Sequence, residues 1–374
     1  MFWKKLVIMN QSIRIFIYFL LLSLFAGLLG CDSKGKFEKE LSFNRNLVNT
    51  KVPELVCQLS EDNILLKDIV NFTVINDSSF VVLDGKGAYL YHISGKFIKQ
   101  FGNSGQADGE MISPTLVYAT SDFVYIWCTS LLKLLIFDHK ANFKNELSGF
   151  KRAVRKFVVN SSNETLYLYT SGFLTESEDK TVDVIDAYNI AKKTSKKYGE
   201  RGPEDEVLFT FRNSSGIYID TNRLIYLHPS NLIIHDLDLN NDKTVRYKIY
   251  DKAFHTTKTT TKTRDIIENM PKLINYIHQN SVVKDIYKDN GQFIIISEVG
   301  QYDFDERNQA MKNTQNRNVK LYILDNSFNP IRTILYDFIS SPKIVVRSNF
   351  LYFITLMDSD DQILTLNRFS LSEE

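Results

Sequence analysis

Cysteine is scarce in this chain, and its placement excludes more than its number does. Only three occur in 374 residues, Cys31, Cys57 and Cys128. No Cys-x-x-Cys pair exists, so neither a zinc ribbon nor a dithiol redox centre is written here. The six histidines (His92, His139, His228, His235, His255 and His278) include no pair at the i, i+4 spacing of a helical zinc-protease site. No Gly-x-Ser-x-Gly elbow is present, which removes a hydrolase of that design. Neither sign of charge dominates: 45 Lys and Arg stand against 44 Asp and Glu, a formal net charge of +1, so nothing points to nucleic acid. Proline and glycine are few, at 7 and 16, whereas Phe and Tyr number 26 and 19. That balance favours strands, because aromatic side chains fit the half-buried pleated surface of a sheet.

Long apolar runs are also lacking, with one exception at the start. Lys4, Lys5 and Arg14 precede an apolar stretch from Ile15 to Leu29, the charged-then-apolar layout of a secretory leader. The stretch ends in Leu28-Leu29-Gly30-Cys31, which resembles the lipobox of bacterial lipoprotein signals. The resemblance implies that residues 1–30 are removed and that Cys31, the lipidated residue, becomes the first of the mature chain. Losing the three cations with the leader would take the net charge from +1 to −2. A polar tether over residues 31–40 is expected to follow, beginning Asp32-Ser33-Lys34-Gly35-Lys36. More than one acyl chain on one cysteine would hold the protein stably to a membrane.

About 340 further residues exceed a usual single core, so repeats or two domains are required. Four short runs fill the segment from Ile69 to Phe101: Ile69 to Ile75, Phe80 to Leu83, Ala88 to Ile93 and Phe97 to Phe101. Asn76-Asp77, Asp84-Gly85-Lys86-Gly87 and Ser94-Gly95 separate them as turns. Four antiparallel strands in about 35 residues form one propeller blade. The unit recurs over Thr115 to Glu146, Val154 to Tyr198 (with a polar insertion from Ser171 to Lys180), Asn213 to Ile249, and Val282 to Leu335. A sixth unit, Ile344 to Phe369, has three strands only. Val52 to Leu59 is the candidate for its fourth, which would close the ring and leave no exposed sheet edge. The fold class is therefore all-β: a six-bladed β-propeller over residues 41–374, closed by an N-terminal strand joined to the last blade. Cys57 and Cys128 fall in strands of different units and are expected to be unpaired and buried.

Two loops echo one another. Phe101-Gly102-Asn103-Ser104-Gly105 leads to Gly109-Glu110, and two units later Tyr198-Gly199-Glu200-Arg201-Gly202 leads to Asp205-Glu206. Both fall where an outer strand must return to the next blade's inner strand, so Gly102, Gly105, Glu110, Gly199, Gly202 and Glu206 are read as an architectural inter-blade motif. One segment, about 256–280, breaks the pattern. Ile266, Ile267, Met270, Leu273, Ile274 and Ile277 recur at helical spacing around Pro271, which predicts a kinked helix or two turns packed on a propeller face, the alternative being a partner-binding or lid element.

With these features together, the chain resembles the six-bladed β-propeller lipoproteins of Bacteroidota, relatives of NHL-repeat and TolB-like propellers. The resemblance covers residues from about Leu41 onward, and its most family-like stretch is Gly95-Lys96-Phe97 through Glu110 and Pro114. The second loop departs from it, with Asp205 in the place of Gly109 and no proline after the glutamate. It implies a cell-envelope location and fixes fold rather than activity. No catalytic residue, metal ligand or cofactor is assigned. His228 and His235 read as ordinary strand histidines, and Asp84, Asp122, Asp138, Asp220, Asp236, Asp325 and Asp358 as turn residues that bond nearby backbone. Asp303, Asp305, Glu306 and Arg307 read as a solvated hairpin of the fifth unit. The expectation is a monomeric binding module, anchored through lipid on Cys31, for a peptide, glycan or envelope protein. The alternative is a calcium-dependent hydrolase or lyase of the lactonase-like type, which needs several oxygens converging in the central channel.

Overall fold

The computed structural model describes residues 39–49, 52–59, 69–170, 182–201, 208, 215–256, 266, 268–300, 317–338, 343–356 and 364–372. Cys31 and the leader, Gly202, Glu206, Ile267, Asp358, the 171–180 insertion and the charged stretch at 303–307 lie outside them.

Residues from Glu40 onward form one unit. Three short strands come first: β1 (Lys39–Leu41), β2 (Asn46–Val48) and β3 (Glu54–Gln58). Blade 1 is β4 (Ile69–Asn76), β5 (Ser79–Asp84), β6 (Ala88–His92) and β7 (Phe97–Phe101). Blade 2 is β8 (Pro114–Ala119), β9 (Phe123–Cys128), β10 (Lys133–Asp138) and β11 (Phe143–Leu147). Blade 3 comprises β12 (Val154–Asn160), β13 (Thr165–Thr170), β14 (Val182–Asn189) and β15 (Thr194–Arg201). Blade 4 follows as β16 (Gly216–Asp220), β17 (Arg223–Leu227), β18 (Ile233–Asp238) and β19 (Lys243–Ile249). After helix α1 (Met270–Gln279), blade 5 is β20 (Val282–Asp289), β21 (Gln292–Glu298), β22 (Arg317–Leu324) and β23 (Pro330–Phe338). Blade 6 has β24 (Ile344–Arg347), β25 (Phe350–Leu356) and β26 (Leu364–Ser370) of its own.

The fourth strand of blade 6 is β3, antiparallel to β26, with Cys57 opposite Leu366 and Glu54 opposite Arg368. An Arg368–Glu54 fork, at 2.6 and 2.9 Å, fastens the exposed end of this pairing. The closing strand is thus as expected. Two strands before it are not legible in the sequence: β1 adds to the outer edge of blade 4, and β2 runs parallel to β23 on blade 5. One N-terminal segment therefore lies along the rims of three successive blades.

Burial explains why the middle strands are apolar without alternation. Residues Phe80 to Asp84, Val124 to Cys128 and Thr165 to Thr170 are buried throughout, because a neighbouring blade covers each face of the sheet. Apolar clusters fill all six gaps between adjacent blades. The gap between blades 6 and 1 includes Cys57 and Leu59 beside Phe72, Phe80, Tyr91 and Leu366, so the closing strand is packed as well as hydrogen-bonded. Cys57 and Cys128 are free and buried.

The chain is helical at Ile266, leaves the helix at Glu268 and Asn269 and re-enters it at Met270, so the apolar stripe is interrupted just ahead of Pro271. Pro271 occupies the first turn, where its missing N–H costs nothing, so α1 begins at the proline instead of bending there. The Asn269 side chain caps it by accepting from Lys272 N at 3.1 Å. Ile266 and Leu273 are buried against Tyr276 and Ile277, while Met270 is exposed.

Candidate functional site: the central channel

The inner strands β4, β8, β12, β16, β20 and β24 touch in sequence all the way round, β24 meeting β4. They enclose a channel of about 530 Å³ lined by residues from all six. Contacts join like ends of these strands: Lys288 to Asp220 at 2.6 Å, Arg347 Nη1 to the Val74 carbonyl at 3.0 Å, and Ser348 N to Asp289 Oδ1 at 3.1 Å. The inner strands therefore run in the same direction, and the channel has two distinct ends.

A β-bulge recurs near the start of four inner strands. The extra residue is Val70 in β4, Thr115 in β8, Arg155 in β12 and Lys284 in β20. Bulges re-aim the side chains beside them, and here they leave Asn71, Lys156 and Asp285 on the channel wall. Lys156 of blade 3 reaches past blade 4 to form an ion pair with Asp285 of blade 5. The Tyr287 hydroxyl has one proton for two acceptors, Asp285 Oδ2 at 3.1 Å and the Ile344 carbonyl at 2.9 Å. Burial, reinforced by Asp285, pushes the Tyr287 hydroxyl far above its ordinary value, and burial does the same to Tyr118. Tyr218 is pushed up to about 12, again chiefly by burial. All three remain protonated donors at any physiological pH.

Lys284 faces Glu298 at 4.0 Å. Lys343, just before β24, lines the same end of the channel. Solvent reaches its side chain, yet burial draws its ammonium below the usual lysine range, Lys156 adds to this and Glu298 opposes it. The channel wall thus carries Lys156, Lys284, Lys288, Lys343 and Arg347 against Asp285, Asp289 and Glu298. Among the described residues no group of three or more His, Cys, Asp or Glu side chains converges on a point.

The residues singled out by sequence lie elsewhere. Gly102, with φ +67°, leads into a loop in which Met111 N donates to Asn103 O at 2.9 Å and Gly105 N to Met111 O at 3.3 Å. Glu110 Oε2 accepts from Ala107 N at 2.9 Å. A Cβ at Gly102 would meet Met111 Cε at 1.7 Å, and one at Gly105 would meet Glu110 Oε2 at 1.9 Å. Gly199, with φ +66°, lies against the Tyr226 ring. These contacts hold the first loop closed. Three of the turn carboxylates bond nearby backbone as expected, whereas Asp220 is taken by Lys288 of the next blade and Asp236 by a side chain instead: Asp138 Oδ1 accepts from Lys140 N and Asn142 N, both at 2.9 Å. Asp325 repeats that turn with Ser327 N and Asn329 N. Asp84 Oδ1 takes Lys86 N and Gly87 N at 2.7 and 2.9 Å. Asp236 holds Arg223.

His228 and His235 are packed between blades 3 and 4, 5.0 Å apart between ring centres, with His235 stacked on Tyr226 and His228 Nδ1 2.6 Å from the Tyr169 hydroxyl. Burial, then His228 and Arg246, pull His235 down to about 2, which makes it a neutral core residue.

The channel charges escaped sequence reading because a lysine in a strand reads as solvent-facing. The available signal was positional: Val154-Arg155-Lys156 and Val283-Lys284-Asp285 place charges at the same register of two first strands.

No family model matches the chain, and no curated protein matches it. Solved structures similar to it include a Bacteroides fragilis protein described as exported, at TM-score 0.59 and 11% identity, covering 89% of this chain and 99% of that one. Another is a member of the DUF4221 family from Bacteroides vulgatus, at TM-score 0.58 and 10% identity, covering 84% of this chain and 96% of that one. At such identity the likeness shows the fold, a six-bladed propeller.

Proposed function

We propose that the chain is an envelope propeller, exported and held to a membrane through lipid on Cys31, that binds a peptide, glycan or envelope protein and catalyses no reaction. The observation that carries this reading is the channel: a concavity of about 530 Å³, within the size range of ligand sites, walled by side chains from six rigid blades. Its carboxylates are committed to other work. Asp285 is held by Lys156, Glu298 faces Lys284, and Asp289 accepts backbone N–H bonds from Ser348 and Asn349. A calcium-dependent lactonase-like reaction needs oxygens that converge on one cation, and a wall with more ammonium than carboxylate groups suits an anion better. The Lipobox-like Leu28-Leu29-Gly30-Cys31 and the exported neighbour of the same fold support the location.

The test has two arms. In a bacterial host, radiolabelled palmitate is expected to mark the full chain and not C31S; labelling of C31S would overturn the anchoring. A screen of glycans and peptides by thermal shift is expected to find a ligand lost in V117W, which fills the channel. Ligands unaffected by V117W would move the site off the channel, and turnover of lactone or ester substrates abolished by chelation would refute the non-catalytic reading.

A further inference from the structure

We infer that the rim of blades 3 and 4 is a second membrane contact, at which lysines of the outer strands β15 and β19 and their turns meet the headgroups of anionic lipids. The inference rests on Cys31 being the lipidated residue and names the side of the ring that faces the bilayer. Two independent observations carry it: where the tether joins the propeller, and where exposed cations gather.

Eight residues lead from Cys31 to Lys39, no more than about 28 Å of fully extended chain. The strand that starts there, β1, adds to β19 at the outer edge of blade 4, and Tyr250 N donates to Leu41 O at 2.9 Å. A lipid on Cys31 therefore keeps this rim, and not the one across the ring, beside the bilayer. The same rim is basic. From Ile190 to Lys197, the turn into β15 and its start, there are four exposed lysines, Lys192, Lys193, Lys196 and Lys197, and no carboxylate. From Lys243 to Lys252 come Lys243, Arg246, Lys248 and Lys252 against Asp251 alone, which Lys320 already holds at 2.6 Å. The corresponding stretch of blade 2, Asp138 to Leu147, has two charges of each sign, and that of blade 5, Asp325 to Phe338, has two carboxylates and one arginine.

Two of the lysines have partners, Lys196 with Asp242 at 2.7 Å and Lys197 with Asp183 at 3.7 Å. Such solvent-exposed pairs are weak and leave the cations open to a stronger field. Tyr250, beside the tether strand, is 62% exposed, and tyrosine settles readily at headgroup depth. Attraction to a charged surface acts over a Debye length of about 10 Å. The short tether keeps the basic rim close enough for it to act, so lipid and charge hold the chain together where one acyl chain alone would hold it marginally.

The experiment takes the full chain in detergent from a bacterial host and measures its partition onto vesicles of phosphatidylcholine, with and without phosphatidylglycerol. Neutral vesicles report the anchor, and the gain on anionic ones reports the rim. That gain is expected to be at least about tenfold and to vanish in about 0.5 M salt. K192E/K193E should lose it. K86E/K96E, on blade 1 across the ring, makes the same change in net charge and should keep it. All four side chains are exposed, an unchanged unfolding midpoint verifies each fold, and the salt series needs no variant. Equal loss in the two pairs, or no gain on anionic vesicles, would overturn the inference. Binding of polygalacturonate that K192E/K193E abolishes, without a gain on anionic vesicles, would overturn it in favour of an acidic glycan. Failure on neutral vesicles would refute the anchor, while a gain on anionic ones lost only in K192E/K193E would still support the rim.

Discussion

Substituting alanine for Gly95 should unfasten the ring, and a second glycine provides the control. Gly95 and Gly149 have nearly the same backbone, φ +86° and +85°, so alanine at either meets the left-handed penalty of about 1–2 kcal/mol. They differ in surroundings. A Cβ at Gly149 has nothing within 4 Å, whereas one at Gly95 would lie 1.9 Å from the Gln58 carbonyl oxygen and 3.1 Å from Cys57 Cβ, both on the closing strand β3. The carbonyl must retreat by about 1 Å to reach even a 3.0 Å contact, and it carries with it Cys57 and Leu59, which are 6% and 5% exposed. Uncovering a leucine costs about 1.5–3 kcal/mol. G95A is therefore expected to lose about 3–5 kcal/mol in urea unfolding and G149A about 1–2. Cys57 reports the locus. Burial pushes its thiol up to about 11, so it should resist Ellman's reagent in a C31S background, as should Cys128, likewise at about 11. In G95A one thiol should react rapidly while Cys128 stays protected. Equal stability losses in the two variants, with Cys57 protected in both, would refute the account of closure.

Acid should destabilise the propeller through His235. Its folded pKa of about 2 lies below the ordinary 6.5, so between those values the unfolded chain binds the proton and the folded one does not; stability is full above 6.5 and is lost as pH falls. The loss is about 2 kcal/mol at pH 5, and H235F, which keeps the stack on Tyr226, should flatten that part of a stability–pH curve. D285N would leave Lys156 unpaired in the channel and should cost about 1–3 kcal/mol, since both side chains keep some solvent; K156M/D285N should recover part of it in urea titrations. G105A clashes with the Glu110 carboxylate, so its destabilisation should be smaller when measured in an E110A background; strict additivity would refute the contact.

Most of the fold was legible because a blade repeats a strong local signal: turn pairs such as Ser94-Gly95 between apolar runs, and a final unit one strand short. β1 and β2 were not, because three residues such as Lys39-Glu40-Leu41 carry no periodicity; only the edges of β19 and β23 make them strands. Pro271 signalled a break in the helical stripe without fixing its place. A proline inside an apolar stripe predicts a kink, and only the Asn269 cap shows that the helix begins there. The channel was invisible because its residues are unremarkable one at a time. Lys156 and Asp285 are 129 positions apart, and only the ring brings them together.

The N-terminal segment has a consequence for how the protein is made. β2 and β3 precede all six blades in the chain, yet their neighbours come late: Asn46 bonds Thr333 across 287 positions, and Glu54 bonds Arg368 across 314. β1 can pair with β19 once blade 4 is made, but β2 and β3 have no sheet edge to join until β23 and β26 follow, while the blades between are already able to stack. Ring closure therefore waits for the last blade, and the slow step is the capture of the earlier strand β3 by β26.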